Sequence, residues 1–270
     1  MNNTTLDVEK ILRDKNPGLY RILPGFFIKY LKKIIHQNEL NDFLNRHGDK
    51  KDFEFLAAII GEFKPKVSVE GLEHIPVKGG AVIAANHPLG GLDAIALMHM
   101  IGTKRSDLKY LVNDILMNIK PLENLFVPIN KHGRNSASGL GMINATYASD
   151  QLVLVFPAGL VSRRIDGEVK DLEWKKSFVS QARKYNKPIV PVYISGNLSS
   201  FFYKLSSFRT KVGVKANLEM LYLADEMYQQ KGKHIHIKIL PAIDISQWSA
   251  SKKDQQIAHE IRNLIYLNQK

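Results

Sequence analysis

From Pro65 onward the chain repeats one pattern: a short apolar run, a stretch with helical spacing, then another run. The runs are Val67–Val69, Ala81–Ala85, Tyr110–Val112, Leu125–Ile129, Leu152–Phe156, Ile189–Ile194 and Ile235–Leu240. Asn135–Ser149 and Trp174–Tyr185 are the clearest helical stretches between them. Runs this short and continuously apolar have no face to give to water. They read as strands covered on both sides, which predicts an α/β fold with a mainly parallel sheet flanked by helices. Before Pro65, apolar residues recur at three- and four-residue spacings in Val8–Leu12, Glu39–Leu44 and Phe53–Phe63, so an N-terminal helical segment is expected. A last helix is expected over Ser251–Leu267, with a capping-box-like start and an apolar stripe of Ile257, Ile261, Leu264 and Ile265. The predicted division is 1–62 helical membrane-interface segment, 63–245 α/β domain and 246–270 C-terminal helix.

Composition narrows the partners. Of 270 residues 44% are hydrophobic and 24% charged, which suits a folded globular chain. Cysteine is absent, which excludes disulfides, thiolate catalysis and Cys-ligated metals and fits a reducing compartment. Met1–Lys15 is polar and charged, unlike a signal peptide. The 38 basic against 26 acidic side chains give a net charge of +12 and call for a polyanionic partner. No helix-turn-helix, zinc finger or RNP-type sequence is present, so nucleic acid is not expected. Basic residues are instead interleaved with aromatic and aliphatic ones in two segments. Leu19–Ile35 holds Phe26, Phe27, Tyr30, Lys29, Lys32 and Lys33; Leu198–Val214 holds Phe201, Phe202, Tyr203, Phe208, Lys204, Arg209 and Lys211. Neither is long enough to span a bilayer, which takes roughly 20 apolar residues. Both fit an element lying on an anionic membrane surface, and equally an amphipathic element packed on its own core. The expected location is the cytoplasmic face of the inner membrane, with peripheral attachment.

The chemistry-bearing residues follow the runs, where open α/β sheets bind ligands. After Ala81–Ala85 come Asn86-His87-Pro88-Leu89-Gly90-Gly91-Leu92-Asp93, five residues separating His87 from Asp93. Gly90 and Gly91 let the chain turn tightly, and an apolar helix from Leu92 places Asp93 in its first turn. A carboxylate beside an imidazole fixes its tautomer and stabilises the imidazolium, which makes a general base. The bland alternative is a His and an Asp that cap a turn. Leu125–Ile129 is followed by Asn130, Lys131 and Arg134; Leu152–Phe156 by Gly159, Ser162, Arg163 and Arg164; and Ile189–Ile194 contains Pro191. Such basic groups suit an anionic substrate, since Arg grips phosphate or carboxylate bidentately. His234 and His236 share one side of a strand but lack a third ligand, so no metal is expected. G-x-S-x-G and G-x-x-x-x-G-K are absent, which argues against a serine hydrolase and a P-loop.

In these residues and their order the chain resembles the glycerolipid acyltransferase family, of which lysophosphatidate acyltransferase is the familiar member. The likeness covers about residues 65–245. The family's N-H-x-x-x-x-D box is matched by Asn86, His87 and Asp93 with one extra residue before the Asp. Its apolar strand ending in a basic residue is matched by Leu125–Lys131, its F-P-E-G-T-R-S block in part by Phe156–Ser162, and its V-P-V block by Val190-Pro191-Val192. The resemblance implies acyl transfer from a thioester, either acyl carrier protein or acyl-coenzyme A as co-substrate, to the hydroxyl of a lyso-lipid, with no metal or cofactor. His87 is then the general base and Asp93 its orienting partner. Asn86, Gly90, Gly91, Asn130, Lys131, Arg134, Gly159, Ser162, Arg163, Arg164 and Pro191 are the expected substrate-binding set, with Gly90–Gly91 or Gly159 amides as oxyanion donors. Ala158, Leu160 and Val161 replace the third block's Glu, Thr and Arg. That change, and Asn217–Leu223, resemble a bacterial hemolysin-like subgroup akin to the O-acylating partner in aminolipid synthesis. The expected acceptor is therefore a lyso-aminolipid, an N-(3-hydroxyacyl) glycine or ornithine, whose carboxylate pairs with Arg163, Arg164 or Lys131. Lysophosphatidate is the alternative acceptor, and a non-enzymatic pore-forming or membrane-binding protein the alternative class.

Overall fold

The computed structural model describes residues 6–129, 137–248 and 251–269. Five helices come first: α1 (Val8–Lys15), α2 (Pro17–Ile22), α3 (Gly25–Ile34), α4 (Gln37–His47) and α5 (Asp52–Phe63). Strands and helices then alternate as β1 (Lys66–Glu70), β2 (Ala81–Ala85), α6 (Leu92–Gly102), β3 (Leu108–Asn113), β4 (Phe126–Ile129), α7 (Ala137–Ala148) and β5 (Leu152–Val155). The short strands β6 (Arg163–Ile165) and β7 (Glu168–Lys170) follow, then α8 (Ser177–Lys184), β8 (Ile189–Ile194), α9 (Ser200–Lys211), α10 (Leu223–Tyr228), β9 (His234–Ile239) and α11 (Asp254–Leu267).

Seven strands form one sheet in the order β1-β9-β8-β2-β5-β3-β4. The five from β8 to β4 run parallel, as the continuous apolar runs predict. β9 runs antiparallel to β8, and β1 follows β9 in parallel, so two strands at one side point the other way. β2 explains the layering. All five of its residues are buried, and they alternate between two cores. Ala81, Ile83 and Ala85 face a cluster with α5, α6 and α9 (Leu56, Leu97, Phe202), whereas Val82 and Ala84 face one with α7, α8 and α11 (Tyr147, Phe178, Ile261). Helix α6 is apolar almost all round because it is buried almost all round, as such helices must be. Helix α5, expected in the N-terminal segment, packs into the main core through Phe55, Leu56, Ile59 and Phe63.

The Leu19–Ile35 segment is two helices, since Pro24 ends α2 and begins α3. One side of α3 is internal: Ile28, Leu31 and Ile34 are buried, the last two in a small cluster with Val8. The other side is not, and Phe26 is 74% exposed beside the exposed Tyr30, Lys29 and Lys33. Helix α9 divides the same way, with Phe202 and Tyr203 buried and Phe201 and Phe208 outward. Tyr30 and Phe201 both pack edge-on against Tyr222, joining the two outward faces. No helix among the described residues is long and apolar enough to cross a membrane.

Strands β6 and β7 form a separate antiparallel hairpin that the apolar runs do not announce. Its two-residue turn, Asp166-Gly167, has positive φ at both positions, the conformation for which Asp-Gly is preferred in tight hairpins. The hairpin carries Arg163 into a buried ionic node. The Glu219 carboxylate, with no exposure, accepts from Arg163 Nη2 at 2.8 Å and from Arg209 Nε and Nη2 at 2.5 and 2.9 Å. Arg163 also lies over the Phe202 ring and donates to Val161 O at 2.6 Å. This node ties β6, α9 and the 218–222 turn together. Removing its anion leaves two cations facing each other in a desolvated site, so Glu219→Ala is expected to cost about 3 kcal/mol, measured by urea unfolding; Glu219→Gln is expected to cost less because it keeps acceptor and shape.

Candidate active site

The carboxyl ends of β2, β5 and β8 meet over the Asn86–Asp93 loop, and the loop's conformation follows from its residues. At Gly90 φ is +73°, and a Cβ there would lie 2.7 Å from Leu223 Cδ2 and 3.1 Å from Val161 Cγ2. Only glycine fits. The turn absorbs the extra residue in the His–Asp spacing and brings Asp93 back under the ring. His87 Nδ1 lies 2.9 Å from Asp93 Oδ2, and the same oxygen accepts from Leu89 N–H at 2.8 Å and Gly90 N–H at 3.3 Å. Oδ1 accepts from Ala94 N–H at 2.8 Å. The imidazole stacks on Phe156, centroids 4.3 Å apart, and its side chain keeps 14% exposure while Asp93 has none.

Burial pushes the Asp93 carboxyl upward, but the His87 charge and hydrogen bond, with the Leu89 and Ala94 amides, outweigh it and hold the group below its ordinary value. Asp93 therefore stays ionised. A carboxylate accepting from Nδ1–H leaves the neutral ring's lone pair on Nε2, the nitrogen turned away from Asp93.

The other expected site residues divide by what they touch. Asn86 is buried, donating Nδ2–H to Ile194 O at 2.8 Å and accepting Ile194 N–H at 2.7 Å, so it clamps β2 to β8 and has no polar atom left over for a substrate. Ser162 is buried too: its hydroxyl donates to Asp171 Oδ1 at 2.5 Å and its N–H to His87 O at 2.9 Å. Arg163, expected to grip an acceptor carboxylate, already grips Glu219. Pro191 lies within β8 beside Ala84, buried in the middle of the sheet and short of its carboxyl end. These four are framework. A sequence does not separate a polar side chain that meets substrate from one that meets its own backbone. Gly159 (φ +67°) closes a turn by donating its N–H to Phe156 O, and Gly91 begins α6. Since the Gly90 and Gly159 amides are engaged within their own loops, neither is placed as an oxyanion donor. Arg164 stays exposed with its guanidinium over Tyr203. Asn130, Lys131 and Arg134 lie outside the described residues.

Two residues of weight had no place among the expected ones. Asp171, fully buried, accepts from His87 N–H at 3.1 Å, from Ser162, and from Trp174 Nε1–H at 2.8 Å. Burial drives its pKa up, against those donors. Lys175 is exposed, and its Nζ lies 3.6 Å from the position a Cβ on Gly159 would take, over the turn that follows Phe156. Its ammonium makes no ion pair among the described residues. His234 and His236 both meet the Ser68 hydroxyl, at 2.9 and 3.0 Å, and no group of side chains among the described residues is arranged to hold a metal.

A family model described as acyltransferase matches residues 10–269. A lyso-glycine lipid O-acyltransferase of Bacteroides thetaiotaomicron is 42% identical over 262 residues, 97% of this chain and 96% of that protein. A protein of the same name from Phocaeicola vulgatus is 41% identical over 97% of this chain and 94% of its own. The crystal structure of the 1-acyl-sn-glycerophosphate acyltransferase PlsC from Thermotoga maritima superposes with a TM-score of 0.51 at 18% identity, covering 90% of this chain and 92% of that one, which shows a shared fold.

A carboxyl held below 3.8 in the folded state contributes stability that is present above that pH and lost as the pH falls. Asp93→Asn is thus expected to flatten the acid limb of the melting-temperature profile below pH 3.8 relative to the wild-type protein, read by thermal unfolding at closely spaced pH values.

Proposed function

Because this chain belongs to the acyltransferase family, we propose that it transfers a fatty acyl group from a thioester to the hydroxyl of a lyso-glycine lipid, an N-(3-hydroxyacyl) glycine. The observation that carries the reaction type is the His87–Asp93 pair over the end of β2. His87 Nε2 takes the proton of the acceptor hydroxyl as that oxygen bonds to the thioester carbonyl carbon. Asp93 holds the resulting imidazolium. The tetrahedral intermediate then expels the thiolate, which takes the proton back from His87, so the enzyme ends as it began. Such proton transfer contributes about 10²–10⁴-fold in rate.

The acceptor is argued from the third block and from the relatives. Ala158 and Leu160 stand where a carboxylate and a hydroxyl would meet a glycerol phosphate, and the two relatives above 40% identity carry the lyso-glycine name. With Arg163 held by Glu219, the acceptor's carboxylate falls to Arg164 on β6, to Lys175 over the Gly159 turn, or to Lys131. The donor is an acyl thioester on acyl carrier protein or coenzyme A; both are anionic, as the net charge of +12 favours. His87→Ala is expected to lower kcat by at least 100-fold with an acyl thioester and N-(3-hydroxyacyl) glycine as substrates. Turnover of lysophosphatidate in place of the glycine lipid would overturn the acceptor assignment.

The joined outward faces of α3 and α9, with Phe26, Tyr30, Phe201 and Phe208 among Lys29, Lys33, Lys204 and Lys211, form the surface by which the protein rests on an anionic bilayer, at the cytoplasmic face of the inner membrane. Cosedimentation with phosphatidylglycerol-containing vesicles is expected to fall in Phe26→Ser/Phe208→Ser. Lys29→Glu/Lys204→Glu is expected to weaken binding at low salt and to flatten its fall with added salt, and neither change should alter the melting temperature. Equal binding by all variants would reject this surface.

A further inference from the structure

We infer that Asp171 is a positioning residue for His87, and that through Asp171 the C-terminal helix α11 belongs to the framework of the active site. The inference rests on the general-base reading above and goes beyond it, because Asp171 touches neither ring nitrogen.

His87 is held by two carboxylates with different tasks. Asp93 takes the ring through Nδ1; Asp171 takes the backbone. Asp171 Oδ1 accepts the His87 N–H at 3.1 Å and the Ser162 hydroxyl at 2.5 Å, while Ser162 N–H donates to His87 O at 2.9 Å. These three bonds close a ring that engages both main-chain polar groups of His87. The direction of its Cα–Cβ bond, and so the point Nε2 reaches, is fixed from below as well as by Asp93 from the side.

Asp171 is itself held on every polar atom. Oδ2 accepts from Trp174 Nε1–H at 2.8 Å, its own N–H donates to Tyr266 Oη at 2.7 Å, and its C=O accepts from Arg262, whose guanidinium lies over the Tyr266 ring. Tyr266 and Arg262 belong to α11, at the far end of the chain. A fully buried carboxylate is an expensive means of holding a loop, and three converging donors offset that expense. What the arrangement provides is orientation: displacing a reacting group by about 1 Å costs on the order of 100-fold in rate. Trp174 sits three residues on, fully buried with its ring edge-on to Phe178 of α8.

The test compares steady-state kinetics and melting temperature in the full-length wild type, His87→Ala, Asp171→Asn, Trp174→Phe, Asp171→Asn/Trp174→Phe and Tyr266→Phe, with an acyl thioester and N-(3-hydroxyacyl) glycine. An amide at 171 keeps the volume but has one accepting oxygen for donors on both sides, so its NH2 must face either Trp174 or the His87–Ser162 pair. Asp171→Asn is expected to lower kcat at least 10-fold with the acceptor KM within twofold of wild type. In that background Trp174→Phe removes the opposing donor and is expected to restore kcat threefold or more, although Trp174→Phe alone does not raise it. A merely structural role does not give rescue by a second core change. Tyr266→Phe, which keeps the ring and removes the hydroxyl that accepts from the Asp171 N–H and also bonds the Ser162 side chain, is expected to lower kcat severalfold and decides the matter should Asp171→Asn fail to fold. A wild-type kcat in Asp171→Asn, a loss carried by KM, or no rescue in the double variant overturns the inference. A wild-type rate in His87→Ala would instead overturn the general-base reading, and the two failures are therefore distinguishable.

Discussion

The fully buried Asp93 carboxylate sets the terms for the rest of the site. A charge removed from water is tolerated only when donors converge on it, and here they are the His87 ring and the amides of Leu89, Gly90 and Ala94. Three amides can point at one carboxylate only if the chain doubles back between His87 and Asp93. That in turn requires the left-handed turn at Gly90 and the close approach of Leu223 and Val161. The loop, the cover above it and the first turn of α6 are consequences of ionising one side chain in the dark.

The same logic recurs twice in the surroundings. Asn86 satisfies Ile194 where the β2–β8 ladder ends, with two hydrogen bonds each worth about 1 kcal/mol net, and so carries strand pairing into the loop region. Glu219 gathers Arg163 and Arg209, anchoring α9 and the 218–222 turn to the hairpin. The segment 198–228, which covers the His87 loop, is thereby held by ions as well as by Phe202 and Tyr203. The outward aromatic stripe of α9 is rigidly backed as a result.

The sheet was legible because burial on both faces leaves a mark: Ala81–Ala85 and Ile189–Ile194 coincide with β2 and β8, since nothing polar fits there. The His87–Asp93 pairing was legible because two glycines between a strand and a helix have few other uses. Direction was not. Ile235–Leu240 reads alike whether it runs with or against its neighbour, and β9 runs against. Nor was allegiance: Arg163 and Arg164 are adjacent and alike, yet one is buried on Glu219 and the other lies in the open over Tyr203. Asp171 was hidden for a plainer reason, as its partners His87 and Tyr266 lie 84 and 95 residues away. The β6–β7 hairpin did leave a signal in Asp166-Gly167, but strands of three residues are too short for a period to show.

The reversal of β9 and β1 gives the molecule two unlike poles. Because β9 begins where β8 ends, and β1 begins beside it with Lys66 opposite His234, the chain coming out of α5 arrives at the edge that carries the His87 loop. α3 is anchored there through Tyr30 on Tyr222, and the start of α4 through His36 on Asp225. Imidazole, cover and aromatic stripe thus crowd onto one pole. The opposite pole is formed by the turns entering β2, β5 and β8, where Gly80 nestles against Ser149 and Lys187, away from the His87–Asp93 pair. It is the natural handle of the protein, an end open to a tether or tag set away from the His87 loop.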